Sequence, residues 1–362
     1  MQSPAGTYSG KPIRVLVVDD SAFMRKILTD LLQSDPAITV IGTARDGLDG
    51  VQKFTSLQPD VVTLDIEMPN LDGYGTLREI MAKRPTPVVM VSSLTREGAE
   101  ATVRALALGA VDFVAKPSGS ISLNMHVTRD ELVAKVKAAA GATPRYRRVL
   151  GELPPLRRET PKPDRSVLHD LNVPPRRLVV IGCSTGGPGA LHQIIPRLPG
   201  DLAAGVLVVQ HMPPGFTRSL AGRLDEISAI PVKEAQEGDR VLSGHVLVAP
   251  GGYHMLVAPD GTVRLNQDPP MHGVRPAVDK TLESVIPLWN QNLVGVILTG
   301  MGYDGAKEMV SLKKHGGRTI AEDASTCVVY GMPKVVAEMG AADQVLPVHE
   351  IADAIVRLVR EG

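Results

Sequence analysis

The sequence predicts an α/β protein of two domains, an N-terminal doubly wound (βα)5 sheet and a C-terminal parallel sheet with an antiparallel hairpin. Three observations carry this expectation. Short apolar runs rich in β-branched residues alternate with stretches of helical spacing, the pattern of a parallel sheet covered on both faces. The 362 residues divide, at roughly 150 per domain, into about two units that can each bury a core. Between the two patterns lies a stretch, 141–177, with seven prolines and nine Lys or Arg against four acids.

In the first pattern the strands fall at 13–18, 39–42, 61–64, 88–91 and 113–114. Helices are expected between them, as at 22–32, where Phe23, Ile27, Leu28, Leu31 and Leu32 recur on one face, and at 99–108. Five such units within residues 11–135 make one doubly wound domain. Past Gly141 the periodicity stops. Residues 136–176 read as a linker, extended by its prolines and like charges, in which Pro breaks any helix. The second pattern places strands at 178–181, 206–209, 246–248, 255–257, 293–298 and 318–321. These make 177–362 a Rossmann-like parallel-sheet domain, and the turn Ala249-Pro250-Gly251-Gly252 is expected to join two of its strands as the hairpin.

Composition narrows the function classes. A hydrophobic fraction of 43% with 22% charged residues excludes a disordered or fibrous chain. Lys plus Arg and Asp plus Glu are 39 each, so no net field draws the protein to nucleic acid, and the basic linker lacks interleaved aromatics. Two cysteines, Cys183 and Cys327, exclude a disulfide scaffold and a four-thiolate zinc site and suit a reducing compartment. The polar start and the short apolar runs, well under the roughly 20 residues that span a bilayer, predict a cytoplasmic protein with no membrane insertion.

Ligand sites of open parallel sheets lie at the carboxyl ends of the strands. In the first domain those ends carry Asp19 and Asp20, then Asp65, then Ser92 and Ser93, then Lys116 and Pro117. Three carboxylates at one edge repel unless a cation holds them, and an all-oxygen set suits magnesium. Shielded in this way, Asp65 can attack an electrophilic phosphorus to form an acyl phosphate, with Lys116 and the Ser92 hydroxyl on the phosphoryl oxygens. Any single Asp here could be a helix cap, but four strand ends agree on one chemistry.

The segments Val17-Val18-Asp19-Asp20-Ser21, Asp65-Ile66-Glu67-Met68-Pro69, Ser92-Ser93 and Lys116-Pro117 resemble the receiver domain of two-component response regulators. The resemblance implies that Asp65 is the phosphoacceptor and that Asp19, Asp20 and Asp65 bind Mg2+ together with the main-chain carbonyl of Glu67. It further implies a shift of Ser92 on phosphorylation, a histidine kinase as phosphoryl donor, and a cis bond between Lys116 and Pro117.

The second domain opens with a strand that runs into Gly182-Cys183-Ser184-Thr185-Gly186-Gly187 and then a helix. Strand, glycine turn and helix is the setting that exposes a nucleophilic serine beside an oxyanion-binding helix N-terminus. No Lys follows the glycines, so a phosphate-binding loop does not fit. Strand alternation turns Cys183 away from Ser184 and into the interior. Of the histidines at 192, 211, 245, 254, 272, 315 and 349, only His211 emerges directly from a strand end. For the carboxylate that orients it, position leaves Asp304 or Asp323, since Asp279 lies on a predicted helix.

The segments 181–187, 210–216, 244–250, 275–279, 295–305 and 331–333 resemble the catalytic domain of chemotaxis receptor methylesterases. The resemblance implies a triad of Ser184, His211 and Asp304, with the main-chain N–H of Met301 on the oxyanion. Tyr303 stands where that family often has Asn, which bears on the rim of the site. The implied activity is hydrolysis of glutamate γ-methyl esters on methyl-accepting chemoreceptors, with glutamine deamidation as a second reaction, switched on by phosphorylation. Two rival classes weigh less. A DNA-binding regulator would need a basic recognition helix that the chain lacks, and a small-molecule serine esterase would prefer a simple aryl ester to a receptor.

Overall fold

The structure, a computed structural model, describes residues 10–116, 125–152 and 175–361. These residues fall into two compact units.

The first unit is built on β1 (Ile13–Val18), β2 (Ile38–Ala44), β3 (Val61–Asp65), β4 (Val88–Ser92) and β5 (Asp112–Ala115). All pair in parallel in the order β2-β1-β3-β4-β5. The chain interposes α1 (Ala22–Gln33), α2 (Gly47–Leu57), α3 (Gly73–Lys83) and α4 (Arg96–Ala107), and α5 (Met125–Glu152) follows. Strands β3 and β4 are buried at every position, which is why their sequences are continuous apolar runs. Three helices begin on side-chain caps: Ser21 accepts from Met24 N at 3.3 Å, Asp46 from Asp49 N at 2.9 Å, and Asp72 from Gly75 N at 2.8 Å.

Helix α5 corrects one expectation. It continues past Gly141 and through Pro144 to Glu152, where the sequence predicts an extended linker. Proline removes a single backbone bond at a cost of about 3 kcal/mol. The preceding run of strong helix formers, anchored by buried Leu132, Val136 and Ala139, is enough to carry the helix across it. The remainder of the linker, 153–174, and the peptide after Lys116 lie outside the described residues.

The second unit carries seven parallel strands in the order β14-β13-β12-β6-β7-β9-β8. They are β6 (Arg177–Cys183), β7 (Ala204–Gln210), β8 (Val232–Glu234), β9 (Val246–Val248), β12 (Leu293–Ile297), β13 (Arg318–Glu322) and β14 (Gln344–Leu346). Helices α6 (Gly187–Ile194), α7 (Phe216–Ile227), α8 (Val278–Trp289), α9 (Ala306–Lys314), α10 (Met332–Glu338) and α11 (Val348–Arg360) complete it. One cluster of its core runs from Leu178 and Val180 on β6 through Leu207 and Val209 on β7 to Val278, Leu282 and Val285 on α8.

The antiparallel hairpin is present, but between other strands than the sequence suggests. It pairs β10 (His254–Val257) with β11 (Val263–Asn266), whereas β9, on the near side of the 249–252 turn, pairs in parallel with β7 and β8. That turn braces a neighbouring loop instead. Gly251 N donates to Thr217 Oγ1 at 2.9 Å, and a Cβ at Gly251 would sit 2.4 Å from the Pro213 carbonyl, so only glycine lets the turn close on the segment after His211.

Candidate active site and acidic pocket

In the first sheet the order reverses between β1 and β3, and the side chains beyond their carboxyl ends converge there. Asp19 is fully buried and Asp65 is 2% exposed, while Asp20 is exposed. One carboxylate oxygen from each lies within 4.8 Å of the others. Asp19 Oδ1 accepts from Ser21 N at 2.9 Å, and Asp65 Oδ1 from Ile66 N at 2.7 Å. Lys116 Nζ donates to Asp65 Oδ2 at 2.7 Å and stands 3.4 Å from Asp19 Oδ2. That last oxygen is buried and accepts no hydrogen bond.

Burial pushes the Asp65 carboxyl up to about 6 against the pull of Lys116, with the Asp19 charge adding to the rise. Asp19 is raised for the same first reason. Burial pulls Lys116 down, but its hydrogen bond to Asp65 and the two charges outweigh this and hold it above the ordinary lysine range. Three carboxylates against the single charge of Lys116, a buried oxygen that accepts no hydrogen bond and a set of hard donors fit Mg2+. Ser92 ends β4, fully buried, and Lys116 N donates to its carbonyl at 2.7 Å. Glu67 follows two residues after Asp65.

In the second sheet the order reverses at β6, with β7 on one side and β12 on the other. Ser184 follows β6, His211 follows β7, and the loop to Asp304 follows β12. Ser184 is half-buried and its N–H donates to Thr299 O at 3.0 Å. A Cβ on Gly300 would come within 2.8 Å of Ser184 Cβ, so the loop passes against the serine only because residue 300 has no side chain. His211 Nε2 lies 2.8 Å from Asp304 Oδ2. Asp304 also accepts Val278 N at 2.6 Å on Oδ2 and Asp279 N at 3.0 Å on Oδ1. Its carboxylate thus caps α8, not the α9 that follows it. Burial alone would raise its pKa, but the His211 hydrogen bond and charge and the two amides overcome this and hold it below the ordinary carboxylate value.

Of the two carboxylates that the sequence leaves open, Asp304 meets His211; Asp323 accepts from Ser325 N in its own turn. The Met301 N–H, beside Gly300, has no partner among the described residues. Gln210 was not singled out by the sequence, yet its buried amide donates to Ser184 O at 3.0 Å and to His211 O at 3.1 Å. Its oxygen accepts from Cys183 Sγ at 3.0 Å. Cys183 is buried and its thiol is pushed far up by burial. Cys327 is buried as well. The folded protein is expected to show neither thiol to an aromatic disulfide reagent, and both after unfolding; a thiol that reacts within seconds in the native state would contradict this packing.

The fold and the two strand-end clusters define a two-domain α/β protein that joins an acidic strand-end pocket to a second sheet with Ser184, His211 and Asp304 at its strand ends. The family model for the response regulator receiver domain matches residues 15–128, and that for the CheB methylesterase matches 179–355. A protein-glutamate methylesterase/protein-glutamine glutaminase of Symbiobacterium thermophilum is 74% identical, the alignment covering 97% of this chain and 98% of the relative. The protein of the same name from Pyrococcus abyssi is 51% identical over 97% and 95%, and that from Thermotoga maritima 50% over 96% and 98%. The chain belongs to the protein-glutamate methylesterase/protein-glutamine glutaminase family, and it is an enzyme of that activity. Receiver domains typically bind Mg2+ in their acidic pocket, as the residues here permit. No helix among the described residues is long and apolar enough to cross a membrane.

Proposed function

We propose that this enzyme hydrolyses glutamate γ-methyl esters on the cytoplasmic helices of methyl-accepting chemoreceptors, releasing methanol, and deamidates certain receptor glutamines, in chemotaxis adaptation. The single observation that carries the reading is the buried His211–Asp304 pair, 2.8 Å apart, across the sheet switch point from Ser184. The first unit, with α5, acts as the receiver and residues 177–362 as the catalytic domain, in the cytoplasm.

Ser184 Oγ attacks the ester carbonyl and its proton passes to His211. Because Nε2 is on Asp304, the nitrogen left to take that proton is Nδ1. The negative oxygen of the tetrahedral intermediate is received by the Met301 N–H, whose lack of a partner supports this role. Methanol leaves with the proton from His211; for a glutamine side chain ammonia leaves instead. His211 then draws a proton from water, which attacks the acyl-enzyme and restores a carboxylate and the serine.

Phosphorylation of Asp65 by a chemotaxis histidine kinase raises this activity. Asp19, Asp20, Asp65 and the Glu67 carbonyl would hold Mg2+, which supplies positive charge against the phosphoryl oxygens. Lys116 takes one of those oxygens and Ser92 donates to another. The test is Ser184→Ala, with methanol release measured on membranes bearing methylated receptors. Release is expected to fall by at least about 10⁴-fold, the scale of a lost nucleophile, with binding of the receptor kept. Retained release would move the nucleophile elsewhere.

A further inference from the structure

Behind the His211–Asp304 pair stands a second imidazole–carboxylate pair that the reaction above does not use. His272 Nε2 lies 2.9 Å from Asp279 Oδ2, and Asp279 is 5% exposed. The other oxygen, Oδ1, accepts from Gly305 N at 3.1 Å and Glu308 N at 3.4 Å, the main-chain donors at the start of α9. Asp304 in turn accepts the N–H groups of Val278 and Asp279 at the start of α8. The two helices therefore exchange carboxylates. Asp304 caps α8 and Asp279 reaches across to the start of α9, so each acid is fixed by amides next to the other. One ligand atom of each of His272, Asp279 and Asp304 lies within 4.8 Å of the others.

We propose that Asp279 and His272 are a positioning pair for the esterase, Asp279 locking the Asp304 carboxylate against His211 and His272 closing that lock from the rim. The proposal rests on the triad reading above. Asp304 has three donors, and two of them, Val278 N and Asp279 N, stay in place only while the first turn of α8 is held against residue 305. The grip that holds it is Asp279 Oδ1. Two carboxylates this close repel, and burial with the Asp304 charge pushes Asp279 up while the His272 hydrogen bond opposes the rise. His272 thus supplies a side-chain hydrogen bond that favours the charged, accepting form of Asp279. Its own placement is specific: a backbone φ of +54°, a conformation uncommon outside glycine, and an edge contact with Tyr303 at 4.7 Å between ring centroids aim the ring inward. Its side chain remains 29% exposed, so it can be exchanged without opening the core.

A displaced triad carboxylate misaims His211, and a misplacement of about 1 Å costs on the order of 100-fold in rate. In the full-length enzyme, Asp279→Ala is expected to lower kcat about 100-fold with KM for methylated receptor within about twofold. His272→Ala should lower kcat about tenfold, and His272→Gln, whose amide N–H can still reach Asp279, should recover most of that loss. In proton NMR the downfield His211 Nε2–H signal should broaden by exchange with water in both alanine variants while far-UV circular dichroism is unchanged. Because Asp279→Ala is buried and can fail to fold, the partly exposed His272→Ala decides. Full kcat and an unaltered downfield proton in folded His272→Ala, with Ser184→Ala inactive, would overturn the positioning role and leave the triad standing; activity in Ser184→Ala would instead remove the triad reading itself.

Discussion

Asp304→Asn is expected to lower kcat for receptor demethylation about 10⁴-fold, the scale of a triad forced into the wrong histidine tautomer, with KM little changed. Every oxygen lone pair of Asp304 that the fold uses faces a donor. Oδ1 receives Asp279 N, and Oδ2 receives Val278 N and His211 Nε2. Asparagine must put an NH2 in one of those places. In the Oδ1 place it opposes the Asp279 N–H, loses part of the α8 cap, which costs about 1 kcal/mol, and leaves a neutral carbonyl where the His211 imidazolium needs an anion. In the Oδ2 place it opposes the Val278 N–H and donates to His211 Nε2, so the ring proton moves to Nδ1 and the imidazole can no longer accept from Ser184. The pKa of Asp304 points the same way. Its folded value lies below the ordinary carboxylate value, so its contribution to stability is present above about pH 4 and is lost as pH falls through the depressed value. Asp304→Asn should therefore also flatten the acid limb of the stability curve. Single-turnover methanol release and a thermal melt at pH 3 to 7 check both halves; a kcat within tenfold of the parent would remove the carboxylate from the mechanism.

The same residues show what a linear sequence can reveal of such a site. Asp19, Asp65, Ser184 and His211 were legible because a parallel sheet brings all its carboxyl strand ends to one edge, and β1, β3, β6 and β7 are long enough for their apolar runs to stand out. Strand position alone does not separate Asp304 from Asp323, because each follows a strand and the choice depends on which neighbour of β6 supplies the loop; only the family resemblance points to Asp304. Strands β8 and β14, three residues each, are too short to show alternation. The Pro-Gly-Gly turn at 250–252 signals a reversal truly enough, but a turn says nothing of which strand will pair, and β9 is taken by β7 and β8. The sequence places Asp279 on a helix and marks no role for it. Its meaning arises only where α8 and α9 meet end to end, a relation between segments 26 positions apart that no local period encodes. Gln210 was hidden for a similar reason, since its two acceptors belong to Ser184 and His211 and become neighbours only when β6 and β7 pair.

Asp65→Asn is expected to abolish stimulation by phosphodonor altogether, leaving methanol release at the unphosphorylated level. The carboxamide has no anionic oxygen to attack phosphorus, and no other described carboxylate in the pocket has the same setting: Asp19 is buried at the floor with Oδ1 committed to Ser21 N, and Asp20 is exposed. Lys116, 2.7 Å from Asp65 Oδ2, then loses its nearest anion and keeps only Asp19 at 3.4 Å. Asparagine therefore mimics neither the free nor the phosphorylated carboxylate. A tenfold stimulation corresponds to a coupling of only about 1.4 kcal/mol between the pocket and the esterase site, so the measurement needs methanol release with and without a small acyl phosphate at fixed Mg2+. Chelating the metal should remove the stimulation of the parent enzyme and leave Asp65→Asn unchanged, because Asp65, the proposed acceptor, is also one of the carboxylates that would hold Mg2+. Stimulation that persists in Asp65→Asn, or that survives chelation in the parent, would show that control of the esterase does not pass through this carboxylate.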